Sequence, residues 1–132
     1  MQMSNYLSTV LKLDAASCLA MGMAVLPFAA SLEAPLGIDA AILQGAAISL
    51  IPIGLFILWL GTRDEAPAAL VWLVIVGNLG WAAASFAAAS GLPGITPLGQ
   101  AAVAGQAVAV LALTLAEWAG LRSIQKASWK KA

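Results

Sequence analysis

The side chains able to do chemistry in this sequence are few, and the most conspicuous sit inside apolar runs. Asn78 lies in the middle of Pro67–Ser90, PAALVWLVIVGNLGWAAASFAAAS, a stretch with no charge. Trp81 follows it by about one helical turn, and Gln44 and Gln106 stand in two further apolar stretches. Amides in an apolar medium have two uses. They bond to one another as packing contacts, worth ~0.6 kcal/mol on average between membrane helices, or they line a small polar cavity for a ligand or headgroup. Counting ~1.5 Å per residue from each helix start places Asn78 and Gln106 near mid-depth, within reach of one another or, with Trp81, around one outer cavity that Asn78 floors, and Gln44 nearer the outer side.

The second constellation is ionic: Lys12 and Asp14 near the start of the chain, Glu117 and Arg122 near its end. Asp14 reads as standing at the mouth of the first helix. Glu117 falls about one and a half turns inside Arg122, where an unpaired carboxylate is costly, so it needs a partner or a proton. Lys12 is the expected partner, giving an ion pair that staples the first and last helices. A proton-coupled carboxylate is the alternative.

What is missing narrows the function classes. With His 0, the commonest metal ligand and the usual general base are absent. Cys18 is the lone cysteine and lies in an apolar run, where a thiol behaves as a small hydrophobe. No nucleophile adjoins a base, and there is no phosphate loop or metal-ligand spacing, so neither enzyme activity nor a cofactor or metal is expected. The formal net charge of +0 argues against nucleic acid as a partner.

These residues must be positioned by helices that lipid surrounds. The chain has 132 residues, 62% hydrophobic and 9% charged, where soluble domains are about a quarter charged. Pro67–Ser90 measures ~36 Å as a helix against a hydrocarbon core of ~30 Å. Three other stretches are comparable, and the expected fold is a single all-α membrane domain, an up-down bundle with helices over about 5–32, 40–60, 66–90 and 97–122 and a basic tail over 123–132. Met1–Leu13 reads either as an in-plane amphipathic turn or as the start of the first helix. The run Leu19–Phe28 has the length of a signal-peptide core, but Asp14 heads it and Lys12 is its single base, so it is read as a retained membrane helix. Glu33–Ile38 reads as a turn, with Asp39 and Thr96 as helix N-caps.

Small residues recur at three- to four-residue steps: Ala16, Ala20 and Ala24; Ala41, Gly45 and Ser49; Gly80, Ala84 and Ala88; Gly105, Ala109, Ala112, Ala116 and Gly120. Such stripes let helices approach closely, and they are expected to pack against one another within the chain. The alternative is that one of them, on the last helix, docks another membrane subunit. Lys12, Arg63, Arg122, Lys126, Lys130 and Lys131 fall at one end of the predicted bundle, while the opposite turns hold only Glu33 and Asp39. That asymmetry predicts both termini on the cytoplasmic side of a multi-pass protein in the inner membrane of a bacterium. No residue-level repeat is apparent between the first and second helix pairs.

Through LKLDAASCLAMGMAVL, RDEAPAALVWLVIVGNLGWAAASF and TPLGQAAVAGQAVAVLALTLAEWAGLR, the chain resembles a loosely defined group of small four-helix bacterial integral membrane proteins to which no activity attaches. In size and helix count it is also similar to the small multidrug-resistance transporters. Their essential carboxylate lies well inside helix 1, in an Ala-rich segment ending in Glu, whereas Asp14 is read here at the helix mouth. The resulting expectation is a non-enzymatic accessory or scaffold subunit acting through helix contacts, with the bilayer and a membrane protein or a second copy as partners. A small transporter or ligand-binding protein with a polar site around Asn78 and Gln106 is the alternative.

Overall fold

The computed structural model describes the backbone of residues 1–131 and the side chains of residues 1–127, so Trp129, Lys130 and Lys131 of the basic tail lie outside the described side chains. Four helices make up the chain: α1 (Asn5–Leu36), α2 (Ala40–Gly61), α3 (Ala68–Gly91) and α4 (Pro97–Lys131). All four are long and apolar enough to cross a membrane.

Local chemistry fixes the helix ends. Ser4 Oγ accepts from the Leu7 N–H at 3.1 Å, so α1 starts at Asn5 and the first residues belong to it rather than to a separate amphipathic turn. Asp39 Oδ1 accepts from Ala41 N at 2.9 Å and Thr96 Oγ1 from Gly99 N at 3.0 Å, both as N-caps. Two boundaries differ from the sequence reading. Helix α1 runs through Pro35 and stops only where Gly37, at φ 66, returns its N–H to Glu33 O at 2.8 Å. Helix α4 continues past Arg122 through the segment read as a tail.

Contacts between loops set the topology. At one end, Thr96 on the α3–α4 loop bonds to Pro35 O (2.7 Å) and Leu36 O (3.1 Å) at the end of α1. At the other end, the N-terminal residues strap the α2–α3 loop through Met3 N to Asp64 O and Ala66 N to Met1 O, each 2.9 Å. Gly120 of α4 packs on Tyr6 and Leu7 at this second end, and Gly61 of α2 packs on Leu11 and Lys12. The N-terminal residues and the Gly120 level of α4 therefore lie at the end of the bundle that holds the α2–α3 loop. Helix α1 packs along α2 and α4, and α4 along α3, whereas α2 and α3 scarcely touch. The bundle is open along the α2/α3 seam.

Apart from Gly120, the small-residue stripes do not make these contacts. Ala16, Ala20 and Ala24 are exposed, as are Ala41, Gly45 and Ser49, Gly80 and Ala84, and Gly105, Ala109 and Ala112. Close packing is carried instead by Gly22 against Ala47 and Leu50, Gly54 against Cys18 and Leu19, and Gly99 against the Leu36 carbonyl. Away from its two ends the outer surface is mainly apolar, with Met23, Phe28, Leu73, Val76 and Leu115 among its exposed side chains.

This packing predicts opposite outcomes for two glycines. A Cβ at Gly99 would overlap the Leu36 carbonyl oxygen, a backbone atom that cannot swing away, so Gly99→Ala should cost roughly 1–3 kcal/mol. Gly45→Ala meets nothing within 4 Å and should be neutral or stabilising by up to about 1 kcal/mol. Denaturation of both variants in detergent micelles, compared with the parent, checks the pair.

Candidate functional site

Helix α3 turns one stripe inward, Val71, Val74, Ile75, Asn78, Ala82, Ser85 and Ala89, all buried at helical spacing. Asn78 is the strongly polar member. Its Nδ2 donates to Asp14 Oδ2 of α1 at 2.8 Å and to Glu117 Oε1 of α4 at 3.1 Å. Both carboxylates are 0% exposed. The Cys18 thiol, one turn beyond Asp14, donates to Asp14 Oδ1 at 3.8 Å, a long contact even for sulfur. Glu117 Oε2 is buried with no hydrogen-bond partner.

The ionic reading of the sequence needs correcting here. Asp14 is not at a helix mouth but in the core, and Lys12 is not its neighbour in space or the partner of Glu117: Lys12 is exposed. Two residues along a helix rotate the side chain by ~200°, so Lys12 and Asp14 point to opposite sides. Arg122 is likewise exposed, laid over the Trp118 ring at 5.1 Å. The carboxylate partner of Glu117 is the Asn78 amide, and no cation bonds to either acid among the described residues.

The second polar cluster lies one turn along α3. Trp81 Nε1 donates to Gln106 Oε1 at 3.1 Å, and Gln106 Nε2 donates to Ser85 Oγ at 2.8 Å and Val103 O at 2.9 Å. Gln106 is thus occupied by Trp81 and Ser85 and does not meet Asn78, contrary to the expectation from depth alone. Gln44 is exposed on α2 and belongs to neither cluster.

Between the clusters and the open seam lies a cavity of about 400 Å³, bounded by all four helices. Its walls are mainly apolar, with Met21, Phe56, Val74 and Val110 among them, and Cys18, Asn78, Trp81 and Gln106 supply polar groups. Ile53 of α2 and Leu73 and Gly77 of α3 line it while also being exposed, which places its mouth on the α2/α3 seam. Because Asn78 spends its amine on the carboxylates, its carbonyl oxygen is the acceptor left for an occupant. Asp14 and Glu117 stand one side chain behind the wall. The cluster has more acceptors than donors, and so complements a proton, an ammonium or a hydroxyl.

If the amide is the bridge between three helices, Asn78→Leu should lower stability by roughly 2–4 kcal/mol, since two hydrogen bonds to buried carboxylates are lost. In an Asp14→Leu background the same substitution should cost clearly less. A double-mutant cycle read by unfolding in mixed micelles gives the coupling; simple additivity would mean that the bridge is not there. Comparison with known proteins finds no matching family model, no matching curated protein and no matching solved structure, which leaves the chemistry of this cavity as the ground for a function.

Proposed function

We propose that this protein spans the inner membrane of a bacterium four times, with both termini in the cytoplasm, and binds a mainly apolar ligand that enters from the bilayer. The observation that carries the ligand reading is the cavity on the α2/α3 seam, backed by the donor-poor Asp14–Asn78–Glu117 cluster. A mainly apolar pocket with a few fixed polar groups is the usual build of a small-molecule site. A mouth between two helices, rather than at a bundle end, suits a ligand dissolved in lipid. Its preferred occupant has an apolar body and one hydrogen-bond donor or positive group for Asn78. The chain is then a binding protein or small transporter, with no chemical reaction assigned to it.

The membrane reading rests on four apolar helices, an apolar outer surface and the gathering of Lys12, Arg63, Arg122 and Lys126 at the end that holds the α2–α3 loop. A second reading, an accessory or scaffold subunit, is favoured by one observation: most small-residue stripe positions, among them Ala16, Ala20, Gly45, Gly80, Ala84, Gly105 and Ala109, are exposed and can take a neighbouring helix. A stoichiometric partner that co-purifies in mild detergent would support it.

Two measurements test the main reading. An added Cβ at Gly77 meets nothing within 4 Å, so Gly77→Phe should fill the cavity without disturbing the fold. Binding of a fluorescent lipophilic amine to the purified protein should fall at least tenfold in that variant; unchanged binding would remove the cavity from the proposal. For the threading, cysteine introduced at Glu33 should react with an impermeant maleimide on intact cells. Cysteine at Thr62 should react only after permeabilisation.

A further inference from the structure

The end of α2 and a stretch within α4 share a five-residue pattern, Trp59-Leu60-Gly61-Thr62-Arg63 and Trp118-Ala119-Gly120-Leu121-Arg122, so a short local repeat exists where comparison of whole helix pairs shows none. The structure gives the three shared positions the same roles in both copies. The glycines are buried against α1, Gly61 on Leu11 and Lys12, Gly120 on Tyr6 and Leu7. The tryptophans are exposed, Trp59 by 48% and Trp118 by 40%. Each arginine lies over its own tryptophan, 5.5 Å from the ring centroid for Arg63 and 5.1 Å for Arg122. Neither arginine pairs with a carboxylate among the described residues, although Asp64 and Glu65 adjoin Arg63 in the chain.

From this geometry we infer that the two Trp-x-Gly-x-Arg copies are a pair of binding sites for the phosphate of an anionic phospholipid, one on each flank of α1. The glycine fixes the helix against α1 and so fixes where the tryptophan and arginine stand. Resting over the indole confines the guanidinium and spares part of the entropy of ordering it, while its N–H groups, with no carboxylate partner among the described residues, are left for phosphate oxygens. The tryptophan ring meanwhile sits at the depth where indoles favour the headgroup boundary. A mobile lysine attracts anionic lipid only through charge; a stacked arginine also presents a directed fork. The inference rests on the membrane reading above, but not on the cavity.

The test is lipid retention. The protein is purified in mild detergent and given equal phosphatidylglycerol and phosphatidylcholine, and the lipids that stay bound are counted by native mass spectrometry. Two phosphatidylglycerol molecules should be retained preferentially; equal retention of the two lipids by the parent protein overturns the inference. Arg63→Gln and Arg122→Gln should each remove one, and Trp59→Leu and Trp118→Leu should each weaken retention several-fold without changing charge. Lys126→Gln, a base at the same end outside either motif, should change little. An equal loss in Lys126→Gln, or no loss in the tryptophan variants, would reduce the sites to surface charge and overturn the inference. Competition by soluble glycerol phosphate at the same concentration would show that the lipid is not the ligand. Failure of the parent protein to enter phosphatidylcholine vesicles would overturn the membrane reading itself, whereas entry without a phosphatidylglycerol preference overturns only this inference.

Discussion

One amide holds together three of the four helices. Asn78 offers two N–H groups, and each finds a carboxylate on a different helix, Asp14 on α1 and Glu117 on α4. Burying two acids without a cation is costly, and breaking such a cluster by removing one member costs more than assembling it returns. The arrangement therefore depends on geometry being kept: α1 must present Asp14 opposite Lys12, α4 must present Glu117 opposite Arg122, and α3 must lie where one side chain reaches both. Helix α2 takes no part. It is held to α1 by close contacts at Gly54 and Gly61 and leaves its other flank to the cavity.

The polar groups are graded along α3. Toward the chain-terminal end, Asn78 is saturated with acceptors and Glu117 Oε2 goes without a donor. One turn further, Trp81, Gln106 and Ser85 satisfy one another. The first cluster has a chemical demand and the second does not. This difference makes Asn78 the polar feature of the cavity wall that matters, while Gln106 and Trp81 shape and stiffen the wall beside it.

Helix number and approximate extent were legible in the sequence because apolar runs between turn residues leave little choice, and the caps at Asp39 and Thr96 followed from residue type. Asn78 stood out as a lone strong polar group in an apolar run. Facing was not legible by the same means. Lys12 and Asp14 are near neighbours in sequence but lie across the helix from each other, so reading Asp14 at the helix mouth with Lys12 put it at the surface, and giving Lys12 to Glu117 aimed the base at a face it does not share. The helical angle alone would have separated them. The small-residue stripes misled for a related reason: regular spacing marks a face without saying whether it turns inward, and of the glycines that pack only Gly120 lies on a stripe, whereas Gly22, Gly54, Gly61 and Gly99 sit off them. Gln106 was given the wrong partner because depth is one coordinate, and Trp81 competes for the same amide at the same level.

The seam between α2 and α3 has a consequence for any affinity measured on this protein. With those helices scarcely touching, the pocket's mouth opens to the surrounding solvent, and in the bilayer proposed for this protein that solvent is lipid. An acyl chain or a detergent tail would then be its first occupant. Occupancy is then an exchange against that incumbent, and the apparent dissociation constant becomes a joint property of the polypeptide and the amphiphile chosen to dissolve it.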